Sequence, residues 1–229
     1  DSGQAIDKVL IRNGLKGDLF QEFFSRIREM DIPFQFVPAQ KLDRITRKNH
    51  QGVIAFLSPV DFYQVEDVLP GLYEAGKTPF LLMLDGLTDV RNFGAILRTA
   101  ECAGVDAVII PRRNFARVSE DTAKTSAGAL YRIPLCRTGK LEDAVEYLKK
   151  SGIQVVGVTE KTDLDYYELD LVKPTALVMG AEDKGISPGV MQKLNFLAKI
   201  PMAGQIGSLN VSVAAGVMIY EAVRQRRNE

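Results

Sequence analysis

The stretch Pro79-Phe80-Leu81-Leu82-Met83-Leu84-Asp85-Gly86-Leu87-Thr88-Asp89-Val90-Arg91-Asn92-Phe93-Gly94-Ala95-Ile96-Leu97-Arg98 decides the fold. Five consecutive apolar residues, Phe80–Leu84, end at a polar Asp-Gly turn and read as a strand buried on both faces. A helical pattern follows, near residues 94–103. A buried strand feeding a helix is the repeating unit of a parallel sheet with helices on both faces. Residues at such junctions carry functional weight, because ligands of open parallel sheets bind outside the carboxyl ends of the strands. Asn92 is placed to cap the helix, and Gly94 allows a ligand to approach the backbone closely. Arg98 is either a surface ion-pair partner or a phosphate contact.

Outward from this stretch the alternation continues. Apolar runs at residues 107–110, 153–158, Thr175–Met179 and 196–200 read as further strands, with helical patterns over Leu141–Lys150 and residues 209–224. Toward the N-terminus, Val9-Leu10-Ile11 is a short strand signal stopped by Asn13-Gly14. Leu19, Phe20, Phe23, Phe24 and Ile27 then recur at helical spacing. Residues 32–37 and 52–57 are strand-like, with a short helix expected at 42–48. Pro70, Gly71, Gly76 and Pro79 mark a boundary. The expected organisation is α/β throughout: a small module at residues 1–76 and a parallel-sheet domain at 77–229. The chain opens at Asp1 without a methionine, so the small module is expected to be incomplete.

Composition narrows the chemistry. The 229 residues hold 29 basic and 29 acidic side chains, one histidine, two cysteines and no tryptophan. No apolar run approaches the roughly 18 residues of a membrane span. Cys102 and Cys136 cannot form a disulfide framework, which points to a reducing cytoplasm. A single histidine, His50, excludes multi-histidine metal sites, so no metal is expected, and it reads as a surface residue or minor RNA contact. Charge parity argues against a general polyanion coat. Even so, Lys41, Arg44, Arg47 and Lys48 cluster, as do Arg112, Arg113 and Arg117, and Arg224, Arg226 and Arg227. Each cluster is either a solvated face or part of a surface for a folded RNA.

Two more junctions stand out. In Val178-Met179-Gly180-Ala181-Glu182-Asp183-Lys184-Gly185-Ile186-Ser187 the glycine spacing resembles a phosphate-binding loop, but Ile186 occupies the position of the required lysine, and that reading fails. Glu182, at a strand mouth, remains a functional candidate. In Ile200-Pro201-Met202-Ala203-Gly204-Gln205-Ile206-Gly207-Ser208-Leu209-Asn210-Val211-Ser212-Val213, Ser208 can cap the last helix. That helix is apolar nearly all round and is expected to be buried, in the core or at a subunit interface. Asn210 in its first turn then needs a definite hydrogen-bond partner.

Together the three segments resemble the ordered motifs of the SpoU-type 2′-O-ribose RNA methyltransferases of the SPOUT superfamily: Asn92-x-Gly94 with Arg98; Gly180-x-Glu182-x-x-Gly185; and Ile200-Pro201-Met202 followed by Ser208-Leu209-Asn210-Val211-Ser212-Val213. The resemblance is strongest to the branch that methylates a guanosine ribose in 23S ribosomal RNA, where a small module resembling a ribosomal RNA-binding protein binds substrate. It implies a deep trefoil knot, S-adenosylmethionine as cofactor, and a homodimer. It assigns Thr159, Gly180, Ile200, Met202, Ser208 and Leu209 to the cofactor, and Asn92, Arg98, Glu182 and Asn210 to catalysis, with Glu182 and Asn92 orienting Arg98. Lys41, Arg44, Arg47, Arg112, Arg113 and Arg117 would meet RNA. A transfer RNA methyltransferase, or a non-catalytic RNA-binding or ribosome-assembly protein of the same fold, are the alternatives.

Overall fold

The computed structural model describes residues 5–227. The outermost residues of both expected domains, with the incompleteness expected before Asp1, lie outside the described residues. The chain divides into two compact units between Asp61 and Phe62.

The first unit contains β1 (Ile6–Arg12), α1 (Asp18–Glu29), β2 (Phe34–Val37), α2 (Ala39–Ile45) and β3 (Val53–Leu57). Its sheet has the order β2-β1-β3, with β1 parallel to β2 and antiparallel to β3. Strand side chains alternate between faces. Val9, Ile11 and Phe34 accordingly meet Ile27 and the α1 phenylalanines on one side. Leu10, Val37 and Leu42 pack together on the other.

The second unit contains α3 (Val65–Glu74), β4 (Phe80–Leu84), α4 (Val90–Cys102), β5 (Ala107–Pro111), α5 (Glu120–Thr125), β6 (Leu135–Thr138), α6 (Leu141–Lys150), β7 (Gln154–Val158), β8 (Thr175–Met179), α7 (Pro188–Met191), β9 (Phe196–Ala198) and α8 (Val211–Arg226). Its sheet is parallel, in the order β6-β5-β4-β8-β7-β9. All five residues of β4 and of β8 are buried, which explains their unbroken apolar runs.

Two expectations are corrected. The domain boundary lies fifteen residues earlier than the one expected after residue 76, and the stretch that marked it contains α3. Val65 and Leu69 pack into the core with Leu81 and Met83, so burial outweighs the cost of Pro70 and Gly71 inside the helix. Tyr63 also donates its N–H to Leu135 O at 3.0 Å and accepts from Arg137 N at 3.0 Å, covering the edge of β6. The Arg137 guanidinium stacks over Phe62, 3.4 Å from the ring centre. Second, the C-terminal arginines do not form one solvated face, because Arg226 is turned inward while Arg224 and Arg227 are exposed. Arg226 donates to the carbonyls of Leu171, Lys173, Thr78 and Pro79 at 2.9–3.3 Å and lies over Phe80. Burial pulls its pKa down, and its role is to tie the end of α8 under the sheet. Arg224 is paired with Glu221 at 2.7 Å.

Candidate active site

The site is built where strands β4, β7, β8 and β9 end. At the start of α4 the capping residue is Asp89, whose carboxylate accepts from the N–H groups of Arg91 and Asn92, both at 2.8 Å. Asn92 is therefore not the cap. The helix begins at Val90, earlier than the apolar periodicity indicated, and this releases the Asn92 amide. At the start of α8 the cap is Asn210 rather than Ser208. Its Oδ1 accepts from Ser212 N at 2.9 Å and Ser212 Oγ at 2.6 Å. Asn210 is exposed in the isolated chain, not enclosed in the helix.

The two amides converge on one carboxylate. Asn92 Nδ2 donates to Glu182 Oε1 at 3.0 Å, and Asn210 Nδ2 donates to the same oxygen at 2.6 Å. Asn210 Nδ2 also lies 3.1 Å from Asn92 Oδ1. An ionised carboxylate only accepts hydrogen bonds, so this geometry fixes which end of each amide faces it. Three segments far apart in sequence thus share one node.

Glu182 is carried on a tight hairpin. Ala181 and Gly185 exchange backbone hydrogen bonds at 3.1 and 2.8 Å, and Gly185 has φ +67°. A Cβ on Gly180 would stand 2.1 Å from Gly185 C, so the chain can fold back only over a glycine. Gly94 has a different reason from the one expected. A Cβ there would stand 2.0 Å from Thr125 Oγ1, so the close approach at Gly94 is made by α5 and not by a ligand.

Beside the node lies a cavity of about 370 Å³. Its lining includes every residue expected at the cofactor: Thr159, Gly180, Ile200, Met202, Ser208 and Leu209. Val158, Met179 and Met191 supply an apolar wall, while Glu160, Lys161 and Lys184 bring charge. Sequence reasoning missed these three, which sit in loops without a local pattern. It also missed Asp89, although an aspartate just before a helix is a standard start signal.

Arg98 is not brought to the node. It is exposed on α4, six residues and so about 9 Å along the axis from Asn92. Among the described residues Glu182 bonds the two asparagines and not Arg98, so the expected orientation of Arg98 by Glu182 and Asn92 within one chain is corrected.

Arg112, Arg113 and Arg117 follow β5, and none of the three is without a partner. Lys41, Arg44 and Arg47 are exposed on and just after α2 of the first unit. His50 is not a surface residue: its side chain is only 16% exposed. Nδ1 accepts from Gly52 N at 3.0 Å, so Nε2 carries the proton that meets Asp43 Oδ1 at 3.0 Å. Burial, then the carboxylates of Glu66 and Asp67, push the Cys136 thiol up to about 12, which leaves it inert as a nucleophile. Among the described residues no group of three or more His, Cys, Asp or Glu side chains could hold a metal ion. No described helix is long and apolar enough to cross a membrane.

Clefts at the mouths of parallel strands are where open α/β sheets bind their ligands. The SpoU rRNA methylase family profile matches residues 79–220, and the profile for RNA 2′-O ribose methyltransferase substrate binding matches residues 1–63. A TrmH-family tRNA/rRNA methyltransferase from Staphylococcus saprophyticus is 38% identical over 225 residues, covering 98% of this chain and 90% of that protein. The SpoU methyltransferase AviRb of Streptomyces viridochromogenes, solved with the cofactor AdoMet, superposes with TM-score 0.66 at 25% identity over 99% of this chain and 85% of its own. An AdoMet-bound rRNA methyltransferase from Sinorhizobium meliloti gives TM-score 0.66 at 27% identity, over 97% of this chain and 81% of its own. The chain belongs to the SpoU family of RNA methyltransferases, enzymes whose methyl donor is S-adenosylmethionine.

Proposed function

We propose that this chain methylates a ribose 2′-hydroxyl, that of a guanosine in 23S ribosomal RNA. The observation that carries the reading is the Asn92–Glu182–Asn210 node on the rim of the strand-mouth cavity. The residues fit S-adenosylmethionine: apolar Val158 and Met179 suit a purine face, and the backbone at Gly180, Ile200 and Leu209 can read its edge, with Thr159, Met202 and Ser208 completing the wall. Bound there, the cofactor supplies a methyl group on a sulfonium, an electrophile with a neutral leaving group. The protein's own task is then mainly in-line positioning of the acceptor, with modest help in removing its proton. Glu182, Asn92 and Asn210 form a rigid acceptor platform for the ribose. Arg98 holds a phosphate and the developing alkoxide.

Because Arg98 stands away from the node of its own chain, the reading includes a homodimer in which one protomer's Arg98 serves its partner's cleft. Exposed apolar side chains on and before α8 support this: Ile206 is 80%, Tyr220 52% and Val213 51% exposed. The first unit is read as the RNA-binding module, through Lys41, Arg44 and Arg47, and Arg112, Arg113 and Arg117 extend the contact. The C-terminal segment is read as threaded into a trefoil knot, and the enzyme as cytoplasmic.

Mapping ribose methylation in ribosomal and transfer RNA from cells lacking this protein tests the substrate. Loss at one 23S guanosine is expected; loss confined to a transfer RNA overturns the ribosomal assignment. Arg98→Ala is expected to reduce methyl transfer at least about 100-fold with S-adenosylmethionine affinity retained. Near-normal turnover would remove Arg98 from the mechanism.

A further inference from the structure

A second cleft, of about 240 Å³, opens at the mouths of β4, β5 and β6. Asp85, Arg113, Lys140, Glu142 and Ser187 line it. It is separated from the cofactor cavity by two contacts. Asp85 Oδ2 accepts from Ser187 N at 2.7 Å, and Gly86 lies against the Ala181 side chain. The two clefts thus flank the position where the strand order reverses, between β4 and β8.

The second cleft mixes acceptors and donors that are not used up inside the protein. Among the described residues Asp85 Oδ1, the Glu142 carboxylate and the Lys140 ammonium make no hydrogen bond. The Glu142 carboxylate lies against Gly189 of α7. A Cβ at position 189 would stand 2.6 Å from Glu142 Oε1, so Gly189 leaves the room its carboxylate occupies. Asp85 and Glu142 offset the positive charge that Lys140 and Arg113 bring to the lining, so the cleft is not a cationic phosphate site. They favour a group that offers N–H donors, and Lys140 favours one that also offers a carbonyl.

We infer that this cleft reads one nucleobase of the RNA, and that the base is guanine. Guanine presents adjacent N1–H and N2–H donors that match a carboxylate, and O6 and N7 acceptors that match a lysine or arginine. Adenine would set its N1 lone pair against the carboxylate. The volume suits one base, and the place beside the methyl-donor cavity suits a nucleotide at or next to the acceptor. The inference rests on the reading of the chain as an RNA methyltransferase and adds to it the residues that choose the base.

The test uses labelled twelve-nucleotide RNAs, all adenosine except for a central guanosine or inosine, and measures Kd by fluorescence anisotropy with the full chain. Inosine lacks the N2 amino group, so the unaltered protein is expected to prefer guanosine about tenfold. Glu142→Gln is expected to reduce the preference to below about twofold, with the Kd for S-adenosylmethionine moved by less than about twofold. Lys140→Ala, on an exposed side chain, is expected to weaken both oligomers while leaving a ratio between them. A preference that survives Glu142→Gln, its absence from the unaltered protein, or displacement of S-adenosylmethionine by the guanosine oligomer overturns the inference. A chain that fails to bind S-adenosylmethionine at all overturns the methyltransferase reading instead.

Discussion

The starts of α4 and α8 solve the same problem differently. Each leaves backbone N–H groups without helical partners, and each is capped by a side-chain oxygen. At α4 the work is divided: Asp89 caps, and Asn92, in the first turn, reaches across to Glu182. At α8 one residue does both, because Asn210 caps with Oδ1 and donates to Glu182 with Nδ2. Stability and the geometry of the site are therefore separable at α4 and fused at α8.

Substitutions can break that contrast. Asn210→Ala is expected to have the largest effect, losing at least about 100-fold in methyl transfer and about 1 kcal/mol in stability. Turnover kinetics and urea unfolding measure the two together. If activity fell with no change in stability, Asn210 would not be the cap that matters. Asn92→Ala comes next, with a similar loss of turnover expected but stability changed by less than about 0.5 kcal/mol. Equal losses in both would erase the difference between the helices. Asp89→Ala is the mirror case: about 1 kcal/mol of stability, seen as roughly 2–4 °C in Tm, with turnover within a few-fold of the unaltered chain.

The effect that is smallest at neutral pH lies away from both helix starts. The Cys136 thiol keeps its proton to about 12 in the folded protein, against an ordinary value of 9.0. Above pH 9 the unfolded state loses that proton first, so stability falls as pH rises, by up to about 1.4 kcal/mol per unit from this group. At neutral pH it contributes no slope. Unfolding measured from pH 8 to 11 should show the decline, and Cys136→Ala should remove that part of it.

How legible these features are depends on burial and on distance along the chain. Phe80–Leu84 and Thr175–Met179 are read directly because a central parallel strand is apolar on both faces. Leu135–Thr138 is missed. It is a four-residue strand at the sheet edge, and Arg137 and Thr138 interrupt its apolar signal. α3 is missed because Pro70 and Gly71 are local breakers, whereas the burial of Val65 and Leu69 that overrides them is a long-range effect. In the site, the glycines, Glu182 and both asparagines are recognisable from their order and spacing. That Asn92 and Asn210 bond the same oxygen is not, since 90 and 28 residues separate them from Glu182.

By itself the sequence determined the α/β class and the strand ends where polar loops begin, because burial and turn chemistry act over a few neighbouring positions. Only the tertiary structure decided that Asp89 and not Asn92 caps α4, that Thr125 and not a ligand faces Gly94, and that Arg98 stands apart from Glu182. Those are choices between chemically equivalent partners, and only packing in three dimensions sets which partner comes within reach.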